Sequence, residues 1–192
     1  VLLQNLNPLV NLIRIPKKPI ILMDEWESKI KAIVENTWNK DVNSLSGVPS
    51  WMLVLIKAVL KKTGREYLTD VWPNLEVFFH GGISFEPYRE QYKTLIPSNK
   101  MHYMETYNAS EGFFGLQDDP TDSSLLMMPD YGIFYEFIPM NEVGNAHPTV
   151  LPLESVETGK NYAMVITTSG GLWRYQIGDT VRFTSLFPHK FV

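Results

Sequence analysis

Residues 101–117 read Met-His-Tyr-Met-Glu-Thr-Tyr-Asn-Ala-Ser-Glu-Gly-Phe-Phe-Gly-Leu-Gln, and the strand pattern carried by Met101 to Thr106 stops at Tyr107. Open α/β sheets present ligand-binding groups where a strand ends. Here an aromatic ring, a small flexible segment, a hydroxyl and a carboxylate follow in quick succession. Tyr107 offers a flat face to a base, Ser110 a hydroxyl donor to an anion, and Glu111 a hard oxygen ligand suited to magnesium. Those are the parts of a nucleotide corner. A strand ending in a polar turn with a surface Glu accounts for the same residues equally well.

Upstream, Leu75 to Phe79 read as a short buried strand between Pro73-Asn74 and His80-Gly81-Gly82. Two adjacent glycines let a ligand approach the backbone closely, although a tight strand-to-helix turn uses the same pair. Pro87 fits a first helical turn, and Tyr88, Tyr92 and Leu95 share a face, so a helix over Glu86–Ile96 follows and ends at Pro97-Ser98-Asn99. Strand, helix and strand form a βαβ unit. Parallel strands in that unit set Gly81-Gly82 and the Tyr107–Glu111 segment on one edge.

Nearer the start, Asp24 suits a helix N-cap, and Trp26, Ile30, Ile33, Val34 and Trp38 predict an amphipathic helix over 24–38. Ser44 to Ser50 is turn-rich. Pro49 and Ser50 open a second helix through Trp51–Lys62, apolar on most sides and stopped by Gly64. The run Leu2–Ile15 is apolar but interrupted by Asn5, Asn7, Pro8, Asn11 and Arg14. It lacks the features of a signal peptide and is too short and polar to span a membrane.

Beyond Leu116 the pattern changes to a polar loop, 118–124, and then to strand-like runs at Leu125–Met128, Ile133–Ile138, Tyr162–Thr168, Leu172–Tyr175 and Val181–Thr184. This divides the chain into an α/β part, 1–120, and a β-rich subdomain, 121–192. In Arg174-Tyr175-Gln176-Ile177-Gly178-Asp179, the carboxylate after the glycine turn can accept from a vicinal diol. A turn Asp satisfying its own backbone is the competing reading. Asp118, Asp119 and Asp122 lack the spacing of a calcium loop and read as a solvated loop. Ser169-Gly170-Gly171 has no following Lys-Ser/Thr and reads as a turn between strands.

Composition narrows the classes. The chain has 192 residues, 44% hydrophobic and 20% charged, with a formal net charge of -4 and no dense basic block, which disfavours nucleic-acid binding. It has 0 cysteines, so disulfides, thiolate metal sites and a cysteine nucleophile are excluded and a reducing, cytoplasmic setting is the default. The 4 histidines are scattered along the chain and Ser110 has no recognisable base partner, so neither a zinc site nor a hydrolytic triad is apparent.

Three islands in order, His80-Gly81-Gly82, Tyr107-Asn108-Ala109-Ser110-Glu111 and Tyr175-Gln176-Ile177-Gly178-Asp179, resemble the auxin-responsive acyl-acid amido synthetases of the adenylate-forming superfamily. Ser46-Gly47-Val48-Pro49-Ser50-Trp51, Val71-Trp72-Pro73-Asn74 and Tyr135-Glu136-Phe137-Ile138-Pro139 carry the narrower likeness, which covers nearly the whole chain. The resemblance implies the parallel βαβ core of the large domain of adenylate-forming enzymes plus a β-rich subdomain. It implies ATP and magnesium as cofactors, with a carboxylic acid and an amino acid as substrates. By residue, it implies that Gly81 and Gly82 lie along the adenine and Tyr107 stacks on it, with Asn108 among the nucleotide contacts. Ser110 would face the α-phosphate and Glu111 would bind magnesium, these two being the catalytic pair. Asp179 would hold the ribose hydroxyls, and Phe113 and Phe114 would line the acyl-acid pocket. An acyl-CoA ligase, or a noncatalytic binding module that keeps the fold, are the alternatives. Gln176 stands where the family usually has Arg, while Arg174 is retained. The phosphate-cradling loop and the mobile C-terminal domain of the family are expected outside these residues, so the chain reads as an internal piece with weak or no activity alone. Apolar surface on the 24–38 helix or the Trp51–Ile56 segment then favours self-association.

Overall fold

The computed structural model describes residues 7–192, which form two compact units, one up to Tyr103 and one from Met104 onward. Residues 2–6 of the Leu2–Ile15 run lie outside the described residues. No helix among the described residues is long and apolar enough to cross a membrane.

In the first unit, α1 (Pro8–Ile13) starts at Asn7, whose side chain accepts from the Leu9 N–H, and α2 (Lys18–Ile21) occupies the proline-rich break. Helix α3 (Trp26–Thr37) begins one residue later than Asp24 would allow. Glu25 is the cap, its carboxylate accepting from the N–H groups of Glu27 and Ser28 at 2.9 and 2.6 Å. A carboxylate there also complements the helix dipole. The turn-rich segment splits. Its first four residues form β1 (Ser44–Gly47), parallel to β2 (Val77–Gly81) in the register Ser44↔Val77 to Gly47↔His80. Ser-Leu-Ser-Gly has little strand propensity of its own, so burial of Leu45 and pairing with β2 decide its conformation. Helix α4 (Pro49–Thr63) follows with proline in its first turn, and it stops at Gly64, whose φ of 66° is the left-handed cap.

A tight 3-10 turn at Glu86–Tyr88 leads into α5 (Arg89–Leu95), shorter than the single helix expected there. Two buried polar contacts pin these helices: Trp72 Nε1 donates to the Thr37 carbonyl at 3.1 Å, and Tyr92 Oη donates to the Pro49 carbonyl at 2.8 Å. Strand β2 runs two residues past its expected end because His80 alternates inward with Phe78 as one more core ring. It stacks on Phe85 with centroids 4.2 Å apart.

The second unit is a sheet ordered β3 (His102–Asn108), β4 (Phe113–Gln117), β5 (Leu125–Met127), β10 (His189–Phe191), β9 (Tyr175–Leu186), β8 (Asn161–Thr168), β6 (Ile133–Pro139), β7 (Leu151–Pro152), with antiparallel neighbours. One face carries the core of Phe114, Tyr135, Phe137, Tyr162, Met164, Phe183 and Phe191. Leu172–Arg174 is not a strand. It belongs to the turn from β8 to β9, closed by Thr168 N–H donating to the Leu172 carbonyl with Gly171 at φ 102°. The acidic loop is tied down: Lys190 Nζ meets Asp118 at 2.8 Å and Asp122 at 3.1 Å.

Burial, and then the charge of Arg89, push the His80 imidazole down to about 4. A group depressed in the folded state stabilises fully above its unfolded value of about 6.5, and that contribution is lost as pH falls through the folded value. Urea midpoints followed by tryptophan fluorescence should therefore fall between pH 6.5 and 4, and His80→Phe should flatten that dependence. An unchanged slope in the variant would contradict the assignment.

Candidate functional site

The hairpin between β3 and β4 carries most of the candidate residues. Ala109 N–H donates to the Gly112 carbonyl at 2.9 Å, closing a loop with Ser110 exposed at its tip and Glu111 half-buried beside it. Gly112 faces filled space: a Cβ there would lie 2.6 Å from Ile133 Cδ1 and 3.0 Å from Phe114 Cε1, so a neighbour would have to shift. Asn108 accepts from the Thr106 hydroxyl at 3.2 Å. Pairing slips between Tyr107↔Gly115 and Asn108↔Phe113, leaving Phe114 as the extra residue on β4, fully buried in the core. The Tyr107 ring leans on it at 4.9 Å and meets the edge of Phe191 at 6.1 Å. Gly115 admits that contact, since a Cβ there would lie 2.8 Å from Phe191 Cζ.

Strand β9 supplies the other half. Gln176 pairs with Val165 and Thr180 with Ala163, so four steps along β9 match two along β8. The surplus is a bulge, Ile177-Gly178-Asp179, with Gly178 at φ 97°. Bulges re-aim side chains. This one brings Asp179 to Tyr107, and the phenol donates to Asp179 Oδ2 across 72 positions of chain. Burial, then that hydrogen bond, then the charges of Asp179 and Glu111 raise the Tyr107 phenol well above the usual tyrosine range. It remains a neutral donor throughout the physiological range. The Asp179 carboxylate is solvent-facing, and a carboxylate has about four acceptor directions, so room remains for a diol.

The remaining candidates are placed as follows. Gly81 ends β2 and Gly82, exposed at φ 82°, begins the turn after it, both in the first unit. Phe113 is half-buried with its ring 5.8 Å from Tyr131, whereas Phe114 is enclosed by protein. Among the described residues no group of three or more His, Cys, Asp or Glu could hold a metal. A lone carboxylate such as Glu111 suits magnesium held chiefly by phosphates and water.

Residue-level reading names Arg174 in the charged turn but gives it no partner. It sits at φ 46°, its N–H donates to Thr167 Oγ1, and its Nε donates to Glu136 Oε2, both at 3.0 Å. It flanks a cleft of about 510 Å³ with Ile138, His147, Val150, Val165 and Gln176. Glu136 is 38 positions away, so no local pattern announces the pair.

Among solved structures, the GH3.15 acyl acid amido synthetase superposes with a TM-score of 0.68 at 19% identity, covering 90% of this chain and 40% of that one. An open conformation of 2-hydroxyisobutyryl-CoA ligase gives 0.58 at 14% identity, covering 83% and 33%. The fold is that of the adenylate-forming enzymes. The GH3 family N-terminal domain matches residues 2–101 and the GH3 family central domain residues 126–191, and the chain belongs to the GH3 family. Indole-3-acetic acid-amido synthetase GH3.4 of Arabidopsis thaliana is 30% identical over 170 residues, covering 83% of this chain and 27% of the relative. GH3.8 of Oryza sativa subsp. indica, of the same description, is 37% identical over 128 residues, covering 61% and 20%. The chain thus spans 27% and 20% of the length of these two relatives.

Gly112→Ala should destabilise the hairpin by about 1–3 kcal/mol through overpacking against Ile133 and Phe114. A thermal melt checks this, and an unchanged midpoint would show that the loop relaxes freely.

Proposed function

We propose that the protein carrying this chain adenylates a carboxylic acid with ATP and magnesium and transfers the acyl group to an amino acid. The observation that carries the reading is the meeting of Tyr107 and Asp179 beside the Ser110-Glu111 hairpin in a chain of this family. In that reaction a carboxylate oxygen displaces pyrophosphate from the α-phosphorus of ATP, and an amine nitrogen then displaces AMP from the acyl carbon. Asp179 accepts the ribose hydroxyls, Tyr107 presents its ring to the base, and Asn108 adds a polar contact to the nucleotide. Ser110 donates to the α-phosphate, and Glu111 would hold magnesium, which would supply neutralisation of the charge that builds up at phosphorus. Gly81 and Gly82 keep the backbone of the first unit free of side chains, as a ligand approaching it closely requires. Phe113 lines the acid pocket, while Phe114 acts from beneath by supporting Tyr107. A cysteine-free composition favours a cytoplasmic setting.

In the full-length protein, Glu111→Ala and Asp179→Ala should each reduce ATP–pyrophosphate exchange by about tenfold or more, as expected for lost charge-assisted contacts. Exchange unchanged in both variants would overturn the roles. Supplying amino acids and coenzyme A in parallel should yield product with the amine alone.

Exposed rings in the first unit support the reading of an apolar, self-associating surface. Trp26 and Trp51 stand 5.8 Å apart between centroids, and both are exposed together with Leu22 and Val54. Contiguous apolar surface of this kind favours association. Light scattering on the 192-residue chain should show apparent mass rising with concentration, and Trp51→Glu should suppress the rise. A constant monomer mass in the unmodified chain would count against it.

A further inference from the structure

We infer that the Tyr107 hydroxyl is a positioning group for Asp179, so that this phenol, and not only the ring, determines preference for a ribonucleotide. The inference rests on the reading of Asp179 as the ribose acceptor. Its physical basis is the route by which the hydroxyl is fixed. The ring is held by Phe114 and Phe191, the first fully buried and the second 1% exposed, so the core of the second unit sets where the oxygen lies. Asp179 has the opposite situation. It sits on an exposed bulge next to Gly178, where backbone and side chain have little other restraint. Left alone, such a carboxylate samples several rotamers and loses that freedom when a diol binds. The hydroxyl removes part of that loss by occupying one acceptor direction on Oδ2, and the remaining directions stay open to two ribose hydroxyls. Because burial and the nearby carboxylates keep the phenol protonated, it donates at every pH where the protein works.

The test is calorimetric binding of ATP and of 2′,3′-dideoxy-ATP, each with magnesium and without acid substrate, to the full-length protein and its variants. Asp179→Ala should weaken ATP and leave the dideoxy nucleotide unchanged, which tests the underlying ribose reading by itself. Tyr107→Phe keeps the ring. It should weaken ATP by about 3- to 10-fold, the size of one net hydrogen bond, with no change for the dideoxy nucleotide. Added to Asp179→Ala, it should have no further effect. A general loss of stacking or folding would weaken both nucleotides equally, so the difference between them isolates positioning. Phe191→Leu, which loosens the Tyr107 ring while leaving the hydroxyl and the carboxylate chemically intact, serves as the second variant and should narrow the same gap to a smaller degree. If Asp179→Ala closes the gap while Tyr107→Phe and Phe191→Leu leave it intact, the positioning role is overturned and the ribose reading stands. If Asp179→Ala leaves the gap intact, the ribose reading itself fails.

Discussion

The packing of Tyr107 on Phe114 and Phe191 is the constraint on which the second unit's candidate site depends. It needs Gly115 beneath Phe191 and Gly112 above Ile133, since a side chain at either position would enter space already filled. Above those rings the β3–β4 hairpin closes through the Ala109 N–H and the Gly112 carbonyl, with Ser110 and Glu111 between them. The same seating aims the Tyr107 hydroxyl at the β9 bulge. The candidate corner is thereby built on an apolar floor, the arrangement that holds polar groups in position at least entropic cost.

The first unit uses aromatic packing differently. Trp72 and Tyr92 each bury a ring and spend their one polar hydrogen on a backbone carbonyl, of Thr37 and Pro49, so neither leaves an unsatisfied donor inside. His80 joins Phe78 and Phe85 in the same layer as a neutral ring, which explains why a titratable residue beside a glycine pair is a packing element. The glycines that follow it keep the conformational freedom that a close-approaching ligand requires, with Gly82 in the left-handed region.

Much of this was legible from residues. The α4 helix, its proline start and its Gly64 stop follow from rules that act within a few residues, as does the Ser169–Gly171 turn. What escaped local reading depends on partners distant in sequence. Strand β1 forms because β2 lies beside it, not because Ser-Leu-Ser-Gly prefers extension. Strand β4 is hidden behind a Gly-Phe-Phe-Gly pattern whose small residues respond to the side chains of Ile133, Leu125 and Phe191. Glu25, not Asp24, is the cap, and its carboxylate accepts from two N–H groups at once.

By itself the sequence determined the family, the glycine, aromatic and acidic islands, and the division between helical and strand-rich character, because each of these is written in composition or short spacing. Only the tertiary structure decided that Tyr107 meets Asp179, because that contact needs a slip in β3–β4 pairing, a bulge in β9 and three packed rings to coincide. None of those events leaves a mark within a window of neighbouring residues. The stretch from Tyr107 to Gly112 supplies the candidate groups, and the core beneath it sets their geometry.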